Sequence, residues 1–367
     1  MIFHCEKKQF LQELKGVKPS RSSLPILNMI QITAIKKTPV LISTNLEVGI
    51  VAPLTGCRIT GAAATVVVDY AALEKAVRSV PAGIITIEVG DDLVIRHSQG
   101  ELSLPIGSVE DYPSIAVPAS RYPLELTAGQ WLSLVDKTRH ASTTDQTKPQ
   151  LQGALLHVPE PQQLRMVTTD GRQLAMGRET ITADLDSFWQ KGIVLPRTLL
   201  SRLNHYLKTI PATAPVAIGI APKRGSRPQQ IVVTLAERIL ISRTQEEAFP
   251  DYSRVLVSET HGPEIRAIEA VAALKRILAA GQLAAVQFGK QTIAISTDDK
   301  AAFQVKEQIP VTRDGVTTEA ITRYPSRQLL DAISAAGEQV RLVFTHDRAP
   351  LKISGEQFES LIMPYAA

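Results

Sequence analysis

The stretch LRMVTTDGRQLAMG, residues 164–177, decides how this chain is to be read. Two apolar runs meet at a polar Thr-Asp-Gly, and Asp170 at the break is either a catalytic carboxylate or part of a turn. Asp-Gly between apolar runs is a hairpin signal, because glycine supplies the positive φ that such turns need. No acid–base partner stands near Asp170 in sequence, so it is read as structural. Thr169, Arg172, Gln173 and Leu174 then sit on a surface ridge, which suits binding.

The same break recurs. ISTNLEVGI around Thr44 and ISTDDKAAF around Thr297 lie 125 residues before and 128 residues after Thr169. Each is preceded by an amphipathic helix (CEKKQFLQELKGV, LTAGQWLSLVDKTRH, IEAVAALKRILAAG). Each is followed by a second helix (YAALEKAVRSV, RTLLSRLNHYL, SRQLLDAISAA) and a further β run. The alternation in ITIEV, IVVTL and RLVFT suits half-buried strands. Self-similarity in this order argues for a tandem triplication. The Pro-rich segments AVPASRYP and FPDYS place the domains at 1–120, 121–250 and 251–367. SVEDYPSI (108–115) and EEAFPDYSRVL (246–256) close the first two alike. The fold class is α+β.

Length and composition bound the rest. With 367 residues, 44% hydrophobic and 21% charged, the chain has the make-up of a soluble globular protein. No apolar run approaches the roughly 20 residues of a membrane span, and MIFHCEKKQF turns charged too soon for a secretory signal. A cytoplasmic location is expected. Two cysteines exclude a disulfide framework. GxxxxGK[ST], GxGxxG, HExxH and GxSxG are absent, and the seven histidines have no metal-ligand spacing. Asp91–Asp92 and Asp298–Asp299 are read as turn residues, since neighbours in a strand face opposite ways. No catalytic residue, metal or cofactor is expected.

The net charge is +4 and the pI about 9.0. Six segments read as helices, 5–21, 70–80, 128–140, 197–208, 267–280 and 323–336, hold 16 Lys/Arg against 6 Asp/Glu. In 197–208, Leu199, Leu200, Leu203, Tyr206 and Leu207 share one face, while Arg197, Arg202, His205 and Lys208 share the other. A solvated helix face explains one such segment, whereas six of them suggest a shared basic surface. Base-reading motifs are missing, aromatics are 5%, and the compact basic loop KRGSR (223–227) reads as a solvated loop. Such a scaffold would hold duplex DNA through its phosphates, without sequence preference.

SRSSLPIL (20–27), TTDGRQLA (168–175), FPDYSRVL (249–256) and LIMPYAA (361–367), in this order over three repeats, closely resemble the bacterial DNA polymerase III beta subunit family, the sliding clamps. The resemblance spans essentially the whole chain. It implies a DNA-clamp fold and a head-to-tail homodimer that closes a ring around duplex DNA, with helices lining the hole and antiparallel sheets outside. The implied role is that of a processivity factor, not an enzyme. The implied partners are the DNA polymerase III alpha subunit, the clamp loader and other proteins bearing a clamp-binding motif, with no membrane. Carried over residue by residue, the peptide pocket would have a floor of Leu151, Thr169, Gly171, Leu174, Pro250, Val255, Leu361 and Met363. Arg172, Gln173, Arg254 and Pro364 would form its rim. Arg21, Arg78, Arg197, Arg202 and Lys208 would face DNA. At the dimer seam, Leu102 and Leu104 would meet Ile277 and Leu278, with edge strands LSLPI and FQVKEQ pairing.

Four departures stand out against the family. They are the basic pI, Gln173 where an arginine is common, the uncharged AAGQLAAVQF, and the Tyr365-Ala366-Ala367 ending. They raise a second reading, a divergent or accessory clamp that sequesters partners or drugs through its peptide socket without encircling DNA.

Overall fold

The computed structural model of the chain describes residues 1–20, 22–182, 187–223, 229–245, 247–298, 300–318 and 320–365. Arg21, Asp299, Ala366, Ala367 and all of the KRGSR loop but Lys223 lie outside them. Seven helices are described: α1 (Lys7–Gly16), α2 (Tyr70–Ser79), α3 (Ala128–Thr138), α4 (Phe188–Lys191), α5 (Arg197–Leu207), α6 (Ala267–Ala280) and α7 (Ser326–Ala335). The chain divides into two compact units, Met1–Ala128 with His205–Thr244, and Gly129–Asn204 with Gln245–Ala367. These do not coincide with the boundaries read near 120 and 250.

The first unit has two sheets. One has five strands in the order Ile59–Thr60, Ile2–Glu6, Ile84–Val89, Leu93–His97, Gly100–Leu104. The other has eight, running Arg121–Thr127, Pro215–Ala221, Gln230–Leu235, Arg238–Arg243, Val48–Pro53, Thr38–Thr44, Met29–Ile35, Val66–Asp69. This ladder runs across the expected boundary at 120, because Arg238–Arg243 pairs with Val48–Pro53. The second unit holds a twelve-stranded sheet in which Gln173–Thr180 lies beside Phe358–Ile362. These ladders are antiparallel, so the α+β expectation holds.

Local chemistry explains the helices. The Asp69 carboxylate caps α2 by accepting from the Ala72 N–H at 2.7 Å. At the other end the Lys7 ammonium donates to the carbonyls of Arg78 (3.0 Å) and Val80 (2.5 Å), which would otherwise lack partners. In α5, Leu199, Leu200, Leu203, Tyr206 and Leu207 are buried as their periodicity requires, while Arg197 is exposed.

The first helix departs from expectation. Residues 2–6 alternate buried and exposed and pair with Ile84–Val89 as a strand, so the helix starts at Lys7 and ends at Gly16, three residues before Pro19. With all six long helices taken at their observed bounds, they hold 11 Lys/Arg and 5 Asp/Glu. Their net charge is therefore +6 where the longer segments gave +10. Lys18, Arg139, Lys208 and Arg323 fall outside the bounds of these α-helices, Arg139 beginning a short 3-10 turn, and Arg21 lies outside the described residues.

Candidate functional site

Asp170 builds the turn. Its Oδ1 accepts from the backbone N–H groups of Arg172 (2.7 Å) and Gln173 (2.8 Å). The Thr169 hydroxyl donates to the Gln173 carbonyl at 2.6 Å and accepts from the Gly171 N–H at 3.1 Å. Gly171 has φ +91°, and the nearest atom to a Cβ built there is Leu151 Cδ1 at 3.9 Å. Backbone conformation, rather than space, therefore calls for glycine. The carboxylate that looked chemical is spent on structural donors, its Oδ1 on the backbone of its own turn.

The turn sets the register beyond it. Thr169 pairs with Leu174, and Leu174 pairs in turn with Leu361 on the neighbouring strand. Leu174 and Leu361 form a buried cluster with Val167, Met176 and Tyr252. Leu155, Phe249, Leu256 and Val257 pack against it. FPDYSRVL lies over this floor as a short 3-10 turn, Tyr252–Val255, capped by Asp251. The Asp251 carboxylate accepts from the Ser253 hydroxyl (2.6 Å) and from Arg254 Nε (3.0 Å), and these donors hold its pKa below the ordinary carboxylate value. Beneath it the Tyr252 hydroxyl is hydrogen-bonded to His157 Nε2 at 2.9 Å. Burial, then the charge of Arg165, pushes the His157 pKa down to about 4.

The third wall follows Ile362. The Met363 N–H donates to the Arg172 carbonyl at 2.9 Å, and the Tyr365 N–H to the Arg323 carbonyl at 2.8 Å. Met363 is 43% exposed and Val255 53%, whereas Leu151, Leu174 and Leu361 are buried. Exposed thioether and valine side chains thus accompany a buried apolar floor. Arg172, Pro250 and Arg254 are exposed and Pro364 is half-buried. Sequence reasoning missed Val167, Met176 and Tyr252. Strand alternation from Thr169 and Leu174 would have found the first two, which share their faces.

Two assignments are corrected. Gln173 is not a rim residue, because only 8% of it is exposed and its Nε2 donates to Asp170 Oδ2 at 3.0 Å. Its Oε1 is buried without a hydrogen-bond partner. Ile277 is not a surface residue, because it is fully buried on the α6 stripe with Ala270, Ala273 and Leu274, spaced by three and four residues. Leu278 is half-buried against the same core.

Leu102 and Leu104 are half-buried on Gly100–Leu104, the outer strand of its sheet. FQVKEQ is strand only from Lys306. Residues 306–310 pair with Thr292–Ser296 along one edge, and Val311 and Arg313 pair with Ile265 and Glu264. Among the basic residues, Arg78 is exposed and forms an ion pair with Glu74 at 2.6 Å. Arg197 and Lys208 are exposed and Arg202 is half-buried. Asp92 Oδ2 accepts from the Ser103 hydroxyl at 2.9 Å beside the turn. Among the described residues no group of three or more His, Cys, Asp or Glu could hold a metal ion. No described helix is long and apolar enough to cross a membrane.

The profile of the DNA polymerase III beta subunit N-terminal domain matches residues 1–116, and that of the central domain matches 125–251. The beta sliding clamp of Caulobacter vibrioides (strain NA1000 / CB15N) is 24% identical over 355 residues, covering 93% of this chain and 91% of its own. That of Escherichia coli K12 is 23% identical over 381 residues, 99% of each chain. The DNA polymerase III beta chain of Streptococcus pneumoniae TIGR4 has the same fold, with a TM-score of 0.88 at 20% identity over the full length of both. With well over half of its residues matched, the chain belongs to the bacterial DNA polymerase III beta subunit family, the sliding clamps.

Proposed function

We propose that this sliding clamp takes short peptide segments of replication and repair proteins, the DNA polymerase III alpha subunit and the clamp loader among them, in the groove of its second unit. The observation that carries this reading is the solvent-open pair Met363 and Val255 beside a buried Leu174–Leu361 floor. An apolar socket with few polar groups suits a Leu- or Phe-bearing peptide and an exchangeable, micromolar complex.

In the same reading the chain is a non-catalytic processivity factor built of three domains, 1–120, 121–250 and 251–367. Two chains form a ring around duplex DNA. Gly100–Leu104 of one copy pairs with the open edge at residues 306–310 of the other, Leu102 and Leu104 meeting Leu278. Arg21, Arg78, Arg197, Arg202 and Lys208 face the phosphates. Weak, salt-screened contacts suit sliding.

The test is a fluorescence-anisotropy titration with the peptide QLDLF. Wild type should bind with micromolar affinity, and Met363→Ala should weaken binding about tenfold, roughly 1.4 kcal/mol. Folded wild type that fails to bind would overturn the peptide reading. Retention on closed circular DNA, lost on linearisation, tests the ring and separates it from a sequestering module that does not encircle DNA.

A further inference from the structure

The first unit contains the same construction as the groove, with one change of volume. In the second unit the chain of paired residues runs Thr169, Leu174, Leu361. In the first it runs Thr44, Gly49, Ile241. The hairpins have equal length, so Gly49 takes the place of Leu174 and Ile241 that of Leu361. The covering segments correspond as well. Asp111-Tyr112-Pro113-Ser114-Ile115 matches Asp251-Tyr252-Ser253-Arg254-Val255, and both tyrosines are buried. The Tyr112 hydroxyl lies 3.3 Å from the Ile42 carbonyl, its acceptor. Ile115 therefore stands where Val255 stands.

The outcome at that position differs. Val255 is left 53% exposed above its leucine floor. Ile115 is half-buried and packs against the cluster of Val40, Ile42, Val51 and Ile241. A Cβ built on Gly49 would lie 3.0 Å from Ile115 Cδ1, so the missing side chain is what admits the isoleucine. A cavity of about 590 Å³ remains beside Val51 and Ile239, further along the strands, with Lys36 and Arg58 in its wall.

We propose that the first unit carries a second copy of the groove, closed by the chain's own Ile115, so that each chain offers one peptide site instead of two. This rests on the peptide reading of the second unit, and Gly49 and Ile115 then determine where partners dock. Opened, the copy takes the same Leu-bearing peptide class.

Two measurements test it. The first needs no ligand. Thiol labelling of Ile115→Cys should be slower than that of Val255→Cys by on the order of tenfold, as for a site reached through local opening. Wild type, whose Cys5 and Cys57 are both buried, serves as blank, and equal rates overturn the closure. The second is calorimetric titration with QLDLF. Wild type should bind one peptide per chain. Ile115→Ala should bind two, and so should Gly49→Ala, which displaces the plug from the opposite side. A wild type binding two, or folded variants still binding one, overturns the proposal. A wild type binding none counts against the peptide reading instead, and the labelling rates alone then decide whether the copy is closed.

Discussion

Asp170→Ala removes a carboxylate that accepts four hydrogen bonds. Oδ1 holds the N–H groups of Arg172 and Gln173, and Oδ2 holds the side-chain amides of Gln173 at 3.0 Å and Gln328 at 3.4 Å. Bonds to a charged acceptor contribute about 1.5–3 kcal/mol each when their partners are otherwise stranded. Arg172 is exposed and its N–H can turn to water, whereas Gln173 is buried. Counting the two Gln173 bonds and discounting the longer Gln328 contact, the loss should be about 3–6 kcal/mol.

The chain's two tryptophans, Trp131 and Trp189, are both buried in this same unit. The urea midpoint of their fluorescence reads the effect locally, which matters where unfolding of the whole chain is not two-state. QLDLF affinity should fall with it, because the Arg172 carbonyl that holds Met363 moves with the turn. Asp170→Asn is the control. It keeps Oδ1, and either glutamine can flip to present its buried Oε1, which has no partner in the wild type, so it should lose less than about 1 kcal/mol. An Ala variant with unchanged midpoint and affinity, or an Asn variant as damaged as Ala, would refute the reasoning.

His157 sets a pH dependence. Its folded pKa of about 4 lies below the ordinary 6.5, so unfolded chains take up a proton that folded ones refuse. Stability should be flat above pH 7 and fall between 6.5 and 4, by at most about 3 kcal/mol from this group at 1.36 kcal/mol per pKa unit. Urea midpoints across that range should decline less steeply in His157→Gln. Ile277→Ala should lower the tryptophan midpoint through a core cavity costing about 2–4 kcal/mol; an unchanged midpoint would return Ile277 to the surface. Leu102→Asp should leave that midpoint alone yet shift sedimentation from two copies of 39.9 kDa to one.

What could be read from sequence was whatever local chemistry encodes. Asp-Gly fixed the hairpin at 169–174, and apolar spacing in 197–207 gave the buried face of α5. The first helix was overextended because Cys5, Phe10, Leu14 and Val17, all buried, fit a helical stripe loosely although the first belongs to a strand. Gln173 was placed outward because polarity suggests the surface, and only the Asp170 carboxylate 3.0 Å away shows why the residue turns in. Ile277 and Leu278 are adjacent apolar residues, and their chemistry alone does not say which faces the sheet. The match of Gly49 to Ile115 was invisible for a plainer reason. It pairs residues 66 positions apart, and the absence of a side chain leaves no mark in a pattern.

The strand Phe358–Ile362 closes against Gln173–Thr180, and the Ser360 hydroxyl reaches the Leu174 carbonyl across 186 residues of chain. That separation gives the groove a birth date. At about 5–20 residues per second of synthesis, the turn at Asp170 waits some tens of seconds for the strand that completes its floor. Throughout that interval a growing chain has the hairpin but not the strand that completes the floor, and on the proposed reading it takes no peptide. Covalent order along the chain thus acts as a clock, set by the 186 residues between Leu174 and Ser360.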